Sequence, residues 1–300
     1  MFRYLKYFVK FARDALFFET MFIRLSCSYL HSGVKMKGND YAEVLLKKAL
    51  ELTRLLDIKA LVVIGIELKK PPKVDIPILL VGRETSRQHN LKTLPLPLSM
   101  GTKNLVNLAS SFMIAEGIIK EGETFIYVTP STLGIRKAKK AVEVEDEFFS
   151  QIEHIFQEVL ELAIELSLEG REGKPIGTIF VIGDTKNVIK HSHQMVPNPF
   201  KGYKINIFDK GSKEIIKEFA FLDGAFVISK SGRVLCAGRY LDIDFKKVSV
   251  NIPSGLGSRH LAAAGISKVT KAIAITVSES GIVRVFKDGK IIFEYNPRLH

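Results

Sequence analysis

Residues 60–65 read Ala60-Leu61-Val62-Val63-Ile64-Gly65. An unbroken apolar run of this length, rich in β-branched residues and closed by glycine, reads as a strand buried on both faces. Ahead of it, Val44, Leu45, Ala49, Leu52 and Leu55 recur at helical spacing across residues 41–56. Beyond it, residues 76–81 repeat the apolar run. Residues 103–119 read as a helix opened by Gly101-Thr102, and residues 124–128 as a further strand. Strands alternating with helices predict a mostly parallel sheet covered on both faces, a Rossmann-like α/β layer. No glycine-rich phosphate fingerprint accompanies it, so nothing in this half marks a dinucleotide site.

A charged stretch at residues 143–147 leads into a second strong helix over residues 148–168. Its apolar positions are Ile152, Ile155, Phe156, Val159, Leu160, Ala163 and Ile164, and Gly170 closes it. The domain boundary is placed just before this helix, giving domains at 37–145 and 146–300. The second half is richer in β structure. Residues 177–183 form a strand entering a turn at Asp184. Residues 225–229 and 234–237 form a hairpin. Residues 272–277, 282–286 and 291–294 form a meander turning at Ser280-Gly281 and Asp288-Gly289. Helices fall near residues 213–219 and 258–264. The expectation is an α/β domain with a mixed sheet.

The chain has 300 residues, long enough for two domains without covalent staples. Its two cysteines, Cys27 and Cys236, lack the spacing of a disulfide framework or a zinc site and fit a reducing, cytoplasmic setting. The net charge of +12 attracts polyphosphate ligands, nucleic acid or acidic membrane surfaces. No nucleic-acid reader motif accompanies it, so nucleic acid is not expected as a partner. Residues 1–36 stand apart, basic and aromatic. Three readings of them are open: an upstream extension with Met36 as the true start, a helix packed on the body, or an amphipathic helix on a membrane surface. Charges interrupt every apolar stretch there, so no transmembrane segment is expected.

Three motifs could carry chemistry. In Leu222-Asp223-Gly224-Ala225-Phe226 an acid precedes two residues with almost no side chain. Small residues let a ligand approach the backbone, and the acid can hold a cation or help deprotonate a hydroxyl. In Gly255-Leu256-Gly257-Ser258-Arg259-His260 a glycine-containing loop opens a helix. Helix N-terminal amides bind phosphate, arginine adds a charged fork, Ser258 could cap the helix or bond a phosphate oxygen, and His260 could donate to phosphate or ligate metal. Val277-Ser278-Glu279-Ser280-Gly281 puts another acid at a strand end, where it could join Asp223 at a metal. Each motif also has an ordinary reading, as a turn acid, a capped helix or a hairpin turn. His191-Ser192-His193 reads as a surface loop, and Asn198-Pro199-Phe200 as a structural turn.

The order of these motifs resembles the diadenylate cyclase family. Asp223-Gly224-Ala225 is followed by Gly257-Ser258-Arg259-His260, then residues 262–267 (Ala-Ala-Ala-Gly-Ile-Ser), then Val277-Ser278-Glu279. The first half is similar to the N-terminal domain of the archaeal form, itself like the C-terminal domain of pyruvate kinase. The resemblance implies condensation of two ATP into cyclic di-AMP and two pyrophosphates where two subunits meet face to face, with Mn²⁺ or Mg²⁺ as cofactor. It implies Asp223, Arg259 and His260 as catalytic residues and Asp223 with Glu279 at the metal. Gly224, Ala225, Leu241, Gly257, Ser258, Arg259 and His260 would hold the nucleotide. Two positions depart from the family pattern: Leu261 where a second arginine is usual, and Ser280 where a second acid is usual. They motivate an alternative, a catalytically inactive adenine-nucleotide sensor.

Overall fold

The computed structural model describes residues 20–23, 38–68, 70–82, 91–141, 144, 146–150, 154–170, 176–209 and 211–297. It divides into two units, 1–141 and 142–300. The division falls four residues ahead of the boundary expected from the charged stretch.

In the first unit the run at 60–65 is β2 (Ala60–Ile64), with every residue buried. It lies at the centre of a six-stranded sheet ordered β1-β6-β5-β2-β3-β4. Here β1 is Thr20–Ile23, β3 Ile78–Val81, β4 Lys92–Leu94, β5 Thr124–Val128 and β6 Leu133–Lys137. β2 pairs in parallel with β3 and β5, and β3 with β4. β6 returns antiparallel to β5, and β1 antiparallel to β6. The parallel core is therefore as expected, but one edge is antiparallel. Helix α1 (Gly38–Leu55) packs Leu45, Ala49 and Leu52 on Leu61, Val63 and Ile126. Helix α2 (Thr102–Ala115) buries Leu105, Val106, Leu108 and Ala109. Burial of whole strands is the reason the sequence shows apolar runs rather than alternation.

None of the three readings of residues 1–36 provides for a strand, yet residues 20–23 form one, on the edge of this sheet. The rest of that segment lies outside the described residues. Among the described residues no helix is long and apolar enough to cross a membrane.

The second unit holds a seven-stranded sheet ordered β13-β12-β11-β7-β9-β10-β8. β7 is Thr178–Ile182, β8 Ser192–Gln194, β9 Ala225–Ile228 and β10 Val234–Leu241. β11 is Ile273–Val277, β12 Val283–Lys287 and β13 Lys290–Tyr295. Among the described residues β7 and β9 pair in parallel and the other neighbouring strands pair antiparallel, so the sheet is mixed. The helices among the described residues are α3 (Asp146–Ser150), α4 (His154–Glu169), α5 (Thr185–Lys190), α6 (Ser212–Phe219) and α7 (Ser258–Val269).

Helix α7 lays Ala263, Ala264 and Ile266 on Ile179, Val181, Ala225 and Ala274. Its alanines let it sit close to the sheet, and Gly265 makes room for the loop after β10, where a Cβ would meet Ile243 Cγ2 at 2.6 Å. Helix α4 packs on β11, β12 and β7. Lys213 and Lys217 of α6 hold it through ion pairs with Glu158, Glu161, Glu165 and Glu169. Burial works against the Lys217 charge, but the carboxylates of Glu165 and Glu169 outweigh it and raise its pKa.

Candidate active site

The three motifs meet at one end of this sheet. β9 begins immediately after Gly224, α7 immediately after Gly257, and β11 ends immediately before Ser278. Arg259, in the first turn of α7, reaches both acids. Its Nη1 lies 3.0 Å from Glu279 Oε1, and its Nη2 lies 3.7 Å from Asp223 Oδ1. Both carboxylates are 77% exposed and Arg259 36%, so the cluster faces solvent. Exposed ion pairs contribute little to stability. Their weight here is positional, because one guanidinium aligns residues far apart in sequence.

The backbone beneath is cut to fit. Gly224 has φ +104°, and a Cβ there would meet Arg239 N and Gly238 C, both at 2.7 Å. The Asp-Gly-Ala turn thus lies directly on the backbone of β10. Gly177, just ahead of β7, was read only as part of a strand. A Cβ on it would meet Arg259 Nη1 at 2.5 Å and Cζ at 2.9 Å. It is the floor on which Arg259 rests, and no sequence signal distinguishes it, since the contact exists only once β7 and α7 are side by side.

Gly257, extended at φ −73° and ψ 176°, is the N-cap of α7, and no side chain caps the turn. Ser258 is therefore the first helical residue, exposed, and does not cap the helix as the sequence suggested. The amides of His260 and Leu261 turn back to the Gly257 carbonyl. An N-terminus with no side-chain cap is suited to an anion.

His260 is 8% exposed and turned into the fold. Its Nε2 lies 3.0 Å from Nη1 of Arg284 on β12, whose Nε donates to Glu294 Oε2 of β13 at 2.6 Å. Burial lowers the imidazole pKa, and the charges of Arg284 and Arg259 lower it further against the opposing pull of Glu294.

Ala225 is fully buried in β9. The Leu241 side chain is also buried, packed in the core with Val188 and Ala263. Its neighbour Tyr240 is 53% exposed and packs against His193, with ring centroids 5.3 Å apart. His193 Nδ1 lies 2.9 Å from Asp242. The segment expected as a surface loop is thus divided: His191 caps the C-terminus of α5, and Ser192 and His193 begin the edge strand β8 against β10. Asn198 is structural, accepting from the Phe200 amide and donating to the Leu235 carbonyl. At Ser280 the hydroxyl lies 2.7 Å from that of Ser278, within the turn that carries Glu279.

A divalent cation can be tested against these residues. Among the described residues no three His, Cys, Asp or Glu side chains stand together as a metal cage. Asp223 and Glu279 are a pair of exposed hard oxygen donors. They fit Mg²⁺ or Mn²⁺ of the kind held by one or two carboxylates with substrate phosphates completing the shell.

Residues 41–144 match the family described as "Probable sensor domain DacZ_T". Residues 165–291 match that described as "DisA bacterial checkpoint controller nucleotide-binding". A diadenylate cyclase of Haloferax volcanii is 34% identical over 240 residues, covering 76% of this chain and 88% of the relative. A diadenylate cyclase of Methanocaldococcus jannaschii is 58% identical over 143 residues, covering 47% of this chain and 45% of the relative. The crystal structure of DacA from Staphylococcus aureus is 26% identical, with a TM-score of 0.34, over 46% of this chain and 83% of that one. The chain belongs to the diadenylate cyclase family.

Proposed function

We propose that this chain condenses two ATP into cyclic di-AMP. The observation that carries the reading is the convergence of Asp223 and Glu279 on Arg259, above an N-terminus of α7 that no side chain caps. The 3′-oxygen of one ATP attacks the α-phosphorus of the other, and the bond from that phosphorus to the pyrophosphate oxygen breaks. The same exchange in the opposite sense closes the ring and releases the second pyrophosphate.

Asp223 takes the proton of the attacking hydroxyl, and with Glu279 it would hold a divalent cation. The side chains of Arg259 and Ser258 and the backbone amides of these two residues hold the phosphates. In-line transfer of this kind depends on positioning and charge neutralisation rather than on a protein nucleophile. Bound Mn²⁺ or Mg²⁺ supplies further neutralisation of phosphate charge. When phosphate arrives, Arg259 has a stronger bidentate partner than either exposed carboxylate, and its departure leaves both acids unpaired. Gly224 and Ala225 leave room for the nucleotide. Leu241 supports the base from within the core, and Tyr240 beside it offers an exposed ring.

One such site binds one ATP, so two chains meet face to face as a homo-oligomer, in a cytoplasmic setting where ATP is abundant. The second reading is an inactive adenine-nucleotide sensor. It is favoured by Leu261, 37% exposed on α7 where a further phosphate-facing cation is usual. Incubation of the chain with ATP and Mn²⁺ separates the two. Cyclic di-AMP accumulates under the first reading; bound but unchanged ATP would establish the second.

A further inference from the structure

We propose that Arg284 and Glu294, which belong to none of the three motifs, are positioning residues for the proposed cyclase reaction: they lock His260 as a neutral strut with its proton on Nδ1, beneath the turn that carries Ser258 and Arg259. The inference rests on the cyclase reading only for its effect on activity; the state of the ring is a property of the chain alone.

The geometry allows one assignment. Arg284 Nη1 lies 3.0 Å from His260 Nε2. A guanidinium has donors and no acceptor and stays charged, so Nε2 must be the acceptor and carry no proton. The ring proton is then on Nδ1, which is buried and meets no acceptor among the described residues. Arg284 is itself fixed, with Nε on Glu294 Oε2 at 2.6 Å and its side chain only 11% exposed. The chain Glu294–Arg284–His260 therefore runs from β13 through β12 into the first turn of α7. The charged groups facing the imidazole are Arg259 from its own helix, Arg284 from β12 and Glu294 from β13, and Phe286 of β12 packs near the ring at a centroid distance of 6.2 Å.

Protonation of Nε2 would set two cationic donors face to face and break the link to β12. The first turn of α7 would lose its support just where Arg259 meets Asp223 and Glu279. Behind metal-bound histidines a hydrogen-bond partner fixes tautomer and ring orientation, and its loss costs about tenfold to a hundredfold in activity; a loss of the same order is expected for this strut. The relay thus keeps a second positive charge out of the core while Arg259 alone presents charge to the phosphates.

The test uses the full chain and has two independent readouts. The first is the ¹⁵N pattern of the His260 imidazole without nucleotide, assigned by its loss in His260→Gln. The expected pattern is Nδ1 protonated and Nε2 bare, becoming tautomerically mixed in Arg284→Met. A wild-type ring protonated on Nε2 overturns the proposal even if the chain is an active cyclase. The second is cyclic di-AMP synthesis against pH. In Arg284→Met, kcat falls about tenfold to a hundredfold with an ATP KM within about twofold, and the acid-side inflection moves to higher pH than in wild type, because one of the charges that lowers the imidazole pKa is gone. Arg284→Lys restores part of kcat. A folded Arg284→Met with an unchanged profile overturns the proposal. If Arg284→Met does not fold, Glu294→Gln takes its place, because it keeps the volume and weakens the hold on Arg284; an unchanged ring pattern and pH profile there overturn the proposal too. If no form makes cyclic di-AMP, the cyclase reading fails, and the ring pattern still decides the tautomer.

Discussion

Nη1 of Arg259 lies 3.0 Å from Oε1 of Glu279, joining the first turn of α7 to the turn after β11. Twenty residues separate the two along the chain. The pairing makes Glu279 a holder of Arg259 before nucleotide binds, and it sets the first prediction. Glu279→Gln keeps the side-chain volume but removes the charge that aligns the guanidinium. Cyclic di-AMP synthesis should fall at least tenfold while the melting temperature stays within a few degrees, since an exposed ion pair is worth about 1 kcal/mol or less. Steady-state kinetics and a thermal melt check both.

Gly177→Ala tests the floor under Arg259. The added Cβ would meet Nη1 at 2.5 Å, the far end of a flexible side chain that can move aside. Activity should drop while the fold holds, and Arg259→Lys, with a single point charge in place of a fork, should cost about as much.

Gly224→Ala should behave in the opposite way. Its φ of +104° is strained for any side chain, and the new Cβ would meet the Arg239 amide nitrogen at 2.7 Å. Backbone cannot swing aside as Arg259 can. The expected loss is about 2 kcal/mol or more of stability, read by denaturant unfolding of the second unit.

Two groups give stability a dependence on pH. Asp184 accepts the Lys271 amide at 2.8 Å and the Asn187 side chain, and these bonds hold its carboxyl below the usual value. A depressed acid stabilises the fold above its unfolded pKa, and that benefit is lost as pH falls through the folded value. Asp184→Asn should therefore be less stable than wild type at pH 7, with the gap closing below about pH 4. His260 is also depressed, chiefly by burial. The unfolded chain takes a proton there first, so stability should fall as pH drops below about 6.5, and His260→Gln should flatten that part of the curve.

Most of the fold was legible because its signals are local. The apolar run at residues 60–65 marked β2. Asp288-Gly289 marked the β12–β13 turn, where both residues have positive φ, 50° and 81°. What escaped notice depends on distant partners. β8 is three residues long and alternates little, being defined by its pairing with β10. β1 exists only because β6 presents an edge.

The site divides the same way. Asp223, Arg259 and Glu279 were visible as motif residues, and the fold brings them together. Gly177 was invisible as a functional residue because its neighbour is a side chain over eighty positions away. Arg284 and Glu294 were hidden by a register shift. Lys287 pairs with Lys290 and Phe286 with Ile291, but Val285 then pairs with Phe293 and Arg284 with Glu294. The bulge at Ile292 brings the charges opposite; an unbroken hairpin would have set Arg284 against Phe293.

The most direct measurement is the stoichiometry of the reaction in the full chain and in Asp223→Asn, with ATP and Mn²⁺. The expected result is two pyrophosphates for each cyclic di-AMP in the wild type, and no cyclic di-AMP in a folded Asp223→Asn that still binds ATP. Full synthesis by Asp223→Asn, or a wild type that binds ATP and leaves it intact, would contradict it.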